Sequence, residues 1–271
     1  MENIRQAVER AKANRTSAKP QIVDKLEPPW QPVHVAQATV GSRLKEIEIS
    51  SAKLQSRRIV AHDGADQRAR PYDMLRTQVL QSMAQNGWKI LGVTSPTPGC
   101  GKTLTAINLA FSVARQQNQS VMLADLDLRK PQLADRLGLI PAGGGVLGLL
   151  NEHIELANTV MPIRAGNQRI TVLSTAKTKE SSELLCSAAM RTLLQDLRKE
   201  FQTVILDLPP VLSSDDVIAV LPYIDCILLV AAVGLSETAE VEQAIRHLQS
   251  SQIVRVVLNK TSETSSNRYY Y

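Results

Sequence analysis

From about residue 67 onward, short apolar runs alternate with longer stretches whose apolar positions recur at helical spacing. The runs fall at 88–94, 120–124, 170–174, 203–206, 226–231 and 254–258, and most are built from Val, Ile and Leu. Runs of this length without strict alternation predict strands buried on both faces. The stretches between them predict helices at 72–84, 102–116, 182–200, 214–221 and 237–249. Strand and helix in regular alternation give an α/β fold: a doubly wound, mostly parallel sheet with helices on both faces.

The chain upstream has a different character. Residues 2–14 predict a short helix, with Ile4, Val8 and Ala11 on one side. Residues 16–42 contain Pro20, Pro28, Pro29 and Pro32 and read as a linker. Residues 43–66 are polar, without a clear period. The expected organisation is therefore a basic N-terminal segment, 1–66, and an α/β domain, 67–271. That domain ends in a polar tail, 261–271, closed by Tyr269, Tyr270 and Tyr271.

Composition sharpens this. Hydrophobic residues make up 44% but aromatic ones only 3%, so the core must be mainly aliphatic. The apolar stretch 226–235 is about half of the ~20 residues a membrane-spanning helix needs. The first residues are charged throughout, unlike a signal peptide. Cys100, Cys186 and Cys226 are too few and too scattered for a disulfide or zinc framework, and they suggest a reducing, cytoplasmic compartment. The net charge is +5, yet residues 1–90 hold 15 Lys+Arg against 9 Asp+Glu, and the remainder 16 against 17. The basic excess belongs to the N-terminal third. A nucleic acid, an anionic membrane surface, an acidic partner or a merely solvated segment would each account for it.

The chemistry concentrates after the first run. Lys89-Ile-Leu-Gly-Val-Thr-Ser-Pro-Thr-Pro-Gly99-Cys-Gly101-Lys102-Thr103 carries a strand into a glycine loop and directly into a helix. Such a loop aims backbone N–H groups at phosphate, and the helix N-terminus adds its dipole. The predicted nucleotide loop comprises Pro98, Gly99, Cys100, Gly101, Lys102, Thr103 and Leu104. Lys102 would reach the β- and γ-phosphates, and the Thr103 hydroxyl would ligate Mg²⁺. Pro96 stands where the usual pattern has its first glycine. Cys100, at a helix N-terminus beside Lys102, is a candidate thiolate, or simply a small residue that fits the loop.

Two further runs end in acids: Ala124-Asp125-Leu-Asp127-Leu-Arg129-Lys130-Pro131, and Val204-Ile-Leu-Asp207-Leu-Pro209-Pro210. Ligands of doubly wound sheets lie at the carboxyl ends of strands. Asp125, Asp127 and Asp207 there can hold magnesium, usually through water, or accept a proton from a nucleophile. Each could alternatively cap the helix that follows.

Taken together, Ser95-x-x-Pro98-Gly-x-Gly-Lys-Thr, Asp125-x-Asp127-x-Arg129-Lys130-Pro131, Asp207-x-Pro209-Pro210 with Asp216, Asn108-Leu-Ala, Ser182-Glu-Leu-Leu and the terminal tyrosines resemble the bacterial tyrosine autokinases of capsule and exopolysaccharide synthesis. The resemblance covers about residues 67–271. It implies a P-loop NTPase fold shared with septum-site and plasmid-partition ATPases, and Mg-ATP as cofactor and phosphoryl donor. It also implies autophosphorylation of Tyr269, Tyr270 and Tyr271, between the subunits of a homo-oligomer.

The implied roles are Lys102 on phosphate, Thr103, Asp125 and Asp207 around the metal, Asp127 supporting it, Asp125 taking the tyrosine proton, and Asn259 reading the base. The implied partners are a membrane-embedded polysaccharide chain-length regulator that activates the kinase and a cognate tyrosine phosphatase, with no nucleic acid. The protein would be cytoplasmic, a stand-alone form held at the inner face of the membrane by that regulator. The family's subunit-contact motif, Glu-x-x-Arg-x-x-Arg, reads Arg70, Asp73, Arg76 here, with the first two charges reversed. The alternatives are a partition- or septum-type ATPase switch, against which Thr97 stands where those proteins carry an extra lysine, and a nucleotide-binding regulatory subunit with little kinase activity.

Overall fold

The computed structural model describes residues 45–117, 119–151, 154–249 and 254–261. The expected helix at 2–14, the linker and the three terminal tyrosines lie outside the described residues. The described strands are β1 (Ile47–Glu48), β2 (Ile90–Thr94), β3 (Val121–Asp125), β4 (Met161–Ala165), β5 (Gln168–Leu173), β6 (Thr203–Asp207), β7 (Cys226–Ala232) and β8 (Val254–Asn259). They form one sheet in the order β1-β4-β5-β3-β6-β2-β7-β8. All pairings are parallel except the β4–β5 hairpin. The helices are α1 (Ser51–Ser56), α2 (Arg70–Asn86), α3 (Lys102–Ala114), α4 (Leu133–Leu137), α5 (Val146–Asn151), α6 (Ser181–Leu185), α7 (Ala188–Glu200), α8 (Asp216–Val220) and α9 (Thr238–His247).

Strand pleating explains the layers. In β6, Val204 and Leu206 join a core with Met190, Leu194, Leu197, Val217 and Val241, while Ile205 joins another with Leu54, Val79, Ile107 and Phe111. Side chains of period two thus feed two separate apolar layers, one under each helical face. At about 1.5–3 kcal/mol for each large aliphatic side chain removed from water, these layers dominate the favourable side of folding.

Two sequence expectations need correction. The helix expected at 182–200 is two helices: α6 ends at Leu185, and Ser187 caps α7 by accepting from Met190 N–H at 3.1 Å. Strand β4 was not foreseen. Its alternating burial is that of a strand near a sheet edge, and Pro162 masks it in a sequence reading.

The boundary drawn between residues 66 and 67 cuts through packed structure. β1 pairs with β4, and Leu54, Ile59, Val60 and Ala61 are buried. Asn108, inside α3, holds this strap. Its Oδ1 accepts from the N–H groups of Val60 (2.8 Å) and Ala61 (3.0 Å), and its Nδ2 donates to the carbonyls of Arg58 (3.2 Å) and Leu104 (2.9 Å). With Asn108 fully buried, the bonds to Val60 and Ala61 are made away from competing water, and those to Arg58 and Leu104 are half-buried. The strap is therefore fastened to the helix that opens at the glycine loop.

His62 lies on the same strap, 6% exposed and edge-on to Phe111, with neither ring nitrogen hydrogen-bonded among the described residues. Burial lowers its pKa; Asp63, the nearby Ile59 carbonyl and Asp66 oppose that shift without cancelling it. The folded chain thus refuses a proton that the unfolded chain accepts below about pH 6.5, so this contribution to stability is complete above pH 6.5 and lost as pH falls through the folded value. His62→Phe should flatten the loss of urea stability between pH 7 and pH 5.5 relative to wild type. Parallel pH dependences in the two proteins would contradict a buried neutral imidazole.

Candidate active site

Strand register assembles the site. Asp125, the last residue of β3, pairs directly with Asp207, the last residue of β6, and Val93 near the end of β2 pairs with Asp207 on the other side. β2 and β3 are separated by β6, so the connections out of β2 and β6 leave in opposite directions. This is the switch point at which doubly wound sheets bind ligands.

Here the chain leaves β2, turns through Gly99 (φ 85°) and Gly101 (φ 96°), and enters α3. Both glycines occupy the left-handed region, where a side chain would be strained. At Gly101 a Cβ would also run into the Asn259 amide nitrogen. No side chain caps the start of α3, so the N–H groups of Lys102, Thr103 and Leu104 lack intrahelical acceptors. Leu104 packs against the core from a half-buried position, and Pro98 is exposed at the loop's rim.

Lys102 Nζ lies 2.9 Å from Asp127 Oδ2 and 3.3 Å from Asp207 Oδ1, and the Thr103 hydroxyl donates to Asp207 Oδ2 at 2.6 Å. Asp125 is fully buried. Its Oδ1 accepts from Asp127 N–H (3.1 Å), and its Oδ2 accepts from Gln132 N–H (3.1 Å) and Leu133 N–H (3.0 Å). The expected residues Lys102, Thr103, Asp125, Asp127 and Asp207 thus come together. Asp125 also does what the capping alternative expected, since Oδ2 takes the first N–H groups of α4, while Asp127 Oδ1 accepts from Lys130 N–H in the loop before that helix.

Electrostatics follow from crowding. Burial and the Asp207 charge push Asp125 up to about 8, despite Lys102 and two backbone donors pulling the other way. Asp207 is also raised, chiefly by burial, with Lys102 and Thr103 opposing. Burial alone would lower Lys102, but Asp207, Asp127 and Asp125 outweigh it and its pKa is raised. One ammonium therefore serves three carboxylates, a surplus of negative charge that a divalent cation would relieve.

The donor set fits magnesium with a nucleotide. A hydroxyl and a carboxylate adjoin an uncapped helix N-terminus, and among the described residues no three acidic, His or Cys side chains form a cage of their own. Magnesium commonly takes one or two protein ligands and completes its shell with phosphates and water.

Two expectations shift. The Cys100 thiol is buried, donates to the Thr97 carbonyl at 3.2 Å and lies 3.4 Å from the Ser236 hydroxyl, so it packs the loop from behind rather than facing a phosphate. Only its backbone remains available to a nucleotide. Asn259 does reach the loop, but its Nδ2 is spent on the Cys100 carbonyl at 2.9 Å, which leaves Oδ1 to meet a base.

Sequence reasoning gave Asp216 no role, and the structure supplies one. Fully buried at the start of α8, it accepts from Arg129 Nε (3.0 Å), Ser181 Oγ (2.9 Å) and Ser182 Oγ (2.7 Å). These donors, Arg129 foremost, overcome burial and hold its pKa below the usual carboxylate range. Asp73, in the expected subunit-contact motif, is engaged within the subunit: Arg115 Nη1 donates to it at 2.8 Å and Ser112 Oγ at 2.6 Å, with Arg76 at 3.2 Å. The three cysteines are free thiols, only Cys186 being exposed. No helix among the described residues is long and apolar enough to cross a membrane.

This loop, sheet and carboxylate set define a P-loop NTPase, a nucleotide-binding fold. The ParA family model, described as "NUBPL iron-transfer P-loop NTPase", matches residues 87–264. The tyrosine-protein kinase YwqD of Bacillus subtilis is 29% identical over 73% of this chain and 84% of its own length. The tyrosine-protein kinase etk of Escherichia coli is 30% identical over 76% of this chain and 28% of its own. The putative tyrosine-protein kinase EpsB of Ralstonia nicotianae is 29% identical over 73% of this chain, and the chain spans about a quarter (26%) of EpsB's length.

Among solved structures, the VpsO kinase domain superimposes with a TM-score of 0.64 at 31% identity, covering 72% of this chain and 97% of that one. The E. coli ETK kinase domain gives 0.66 at 28%, covering 79% and 84%. A ParA family ATPase from Chlorobium tepidum shares the fold alone, at 17% identity and a TM-score of 0.52 over 66% of this chain and 77% of that one. The chain belongs to the ParA family of P-loop NTPases and, within it, to the bacterial tyrosine kinases.

Lys102 offers a direct test of the charge cluster. Lys102→Met leaves Asp127 and Asp207 without their cation. Breaking a buried pair typically costs 3–5 kcal/mol, but Asp207, already raised by burial, can take up a proton instead, so a loss of roughly 2 kcal/mol is expected near pH 7.5. Urea unfolding without nucleotide should show a smaller loss at pH 5.5, where protonation is easier. An equal loss at both pH values would contradict the coupling.

Proposed function

We propose that the chain transfers the γ-phosphoryl group of Mg-ATP to tyrosine hydroxyls, including those of Tyr269, Tyr270 and Tyr271 on a neighbouring copy. The observation that carries the proposal is the convergence of Lys102, Thr103, Asp125, Asp127 and Asp207 at the ends of three strands, in a chain similar over most of their length to proteins named tyrosine-protein kinases.

In this reading the uncapped N–H groups of α3 and Lys102 hold the phosphates, and Asn259 Oδ1 meets the base. Thr103 Oγ1, Asp207 and the Asp125 carboxyl hold magnesium, directly or through water; bound there, the ion would neutralise charge on the transferring group. Asp127 keeps Lys102 aligned until phosphate claims it. The phenolic oxygen attacks the γ-phosphorus, the bond to the bridging oxygen of ADP breaks, and the phenolic proton passes to Asp125. Without a metal, burial and the Asp207 charge push this carboxyl up to about 8, so it holds a proton near neutral pH; magnesium bound beside it would favour the carboxylate, the form able to accept the phenolic proton. Asp127 offers the more open oxygen and is the control for this assignment.

Other kinase-family features enter as part of the same proposal. One relative is named a succinoglycan biosynthesis transport protein, ExoP of Rhizobium meliloti. By that likeness the chain would regulate exopolysaccharide or capsule synthesis and export. It would be activated at the inner face of the membrane by a membrane-embedded chain-length regulator and reset by a cognate tyrosine phosphatase. Asp73 is bound within its own subunit, so a homo-oligomer would rest on other surfaces, or on a rearranged α2.

The roles separate experimentally. Asp125→Asn should retain ADP binding within a few-fold yet lose at least ~100-fold in phosphotyrosine formation, the size of a general-base contribution. Asp127→Asn should lose less. If Asp125→Asn keeps activity while Asp127→Asn loses it, the proton acceptor is Asp127.

A further inference from the structure

The loop that carries Asp127 also carries a cation pair, and it is built more firmly than the proposed catalysis requires. Lys130 N–H donates to Asp127 Oδ1 at 3.0 Å, which places residues 129 and 130 at the rim of the carboxylate cluster. Arg129 is anchored by the bracket at Asp216. Its Nε and Nη2 lie 3.0 Å and 3.3 Å from the two Asp216 oxygens, and Nη2 donates to Ser182 Oγ at 3.1 Å. Asp216 is 0% exposed, whereas the Arg129 side chain is 45% exposed. One edge of the guanidinium is thus fixed by a buried carboxylate, and its Nη1 makes no hydrogen bond among the described residues. A guanidinium held by one edge and open on the other is pre-organised to receive a planar or tetrahedral oxyanion.

A second loop meets it. Thr178 N–H donates to the Leu128 carbonyl at 2.9 Å, which sets Lys177 and Lys179 beside residues 128–130. Lys130, Lys177 and Lys179 are exposed and form no ion pair among the described residues. Of the nearby acids, Glu180 and Glu183 lie at the start of α6, and Asp215, at the start of α8, stands 3.9 Å from Arg129 Nη2, on the edge already bound to Asp216. Exposed cations therefore gather where the two loops meet, one of which carries Asp127.

The acceptor tail supplies the matching chemistry. Tyr269, Tyr270 and Tyr271 are contiguous, so once one is modified the next acceptor carries a phosphate one or two residues away. In an extended chain residues two apart lie on the same side, about 6.6–6.8 Å apart. Asp125, Asp127 and Asp207 would repel such a neighbour unless cations beside them received it. We infer that Arg129, Lys130, Lys177 and Lys179 form a phosphotyrosine-binding rim that retains an already modified tail on a second copy of the chain, so that successive tyrosines are phosphorylated in one engagement. This rests on the tyrosine-kinase reading above.

The test is fluorescence anisotropy with labelled peptides of residues 258–271, unmodified or phosphorylated at Tyr271, in the presence of ADP and Mg²⁺. Wild type should bind the phosphopeptide at least ~5-fold more tightly at low salt, as expected of a few exposed charge pairs. The advantage should vanish in Lys177→Ala/Lys179→Ala and shrink in Arg129→Lys, which keeps the charge but loses the fork. Circular dichroism melts establish that the variants fold. Equal binding of the two peptides by wild type, or an undiminished advantage in the double variant, would overturn the rim. A parallel incubation of wild type with the unmodified peptide and Mg-ATP tests the kinase reading by itself. Absence of phosphotyrosine there would remove that reading, whereas the binding comparison reports on the rim without any transfer.

Discussion

The site depends on a single ammonium buried among three carboxylates. Lys102 bridges Asp127 and Asp207, and Asp125 stands next to Asp207 across the sheet. Parallel pairing sets that spacing, so the sheet register and the charge cluster are one constraint. A slip of β3 against β6 by one residue would turn Asp125 to the other face and leave Lys102 undercompensated. The excess negative charge is tolerable because Asp125 can hold a proton and because a cation with phosphates can occupy the same space. Nucleotide binding and the relief of this repulsion are therefore two views of the same free energy.

The glycine loop is held from three directions. Asn259 at the end of β8 binds the Cys100 carbonyl, the Cys100 thiol binds Thr97, and Asn108 fastens α3 to the strap of residues 58–61. These polar contacts are buried or half-buried and matched donor to acceptor, so they specify one loop geometry rather than merely adding stability. The strap in turn leads back to β1, which pairs with β4 at the sheet edge.

Much of this was legible in the sequence because the dominant signals are local. Six of the eight described strands follow from apolar runs, and the loop from Gly99, Gly101, Lys102 and Thr103 in sequence. The conjunction of the five site residues was legible because strand ends in this topology point to one place. What escaped depends on contacts between distant segments. β1 at the sheet edge and β4 beside it owe their identity to pairing, and the strap at 45–66 looks polar until Asn108 is seen to satisfy part of its backbone. The Cys100 thiol turned out to pack inward, since helix position speaks to a thiol's chemistry but not to its direction. Asp73 and Asp216 are the same lesson in charge: their partners Arg115 and Arg129 lie 42 and 87 residues away.

The account's central claim is that phosphate leaves ATP for tyrosine. Incubating the full chain with Mg-ATP and mapping its phosphorylation by mass spectrometry tests that claim most directly, with Lys102→Met as the inactive reference. The account predicts phosphate on Tyr269, Tyr270 and Tyr271 in wild type and none in the variant. Release of inorganic phosphate with no modified tyrosine would contradict it and mark the protein as an ATPase.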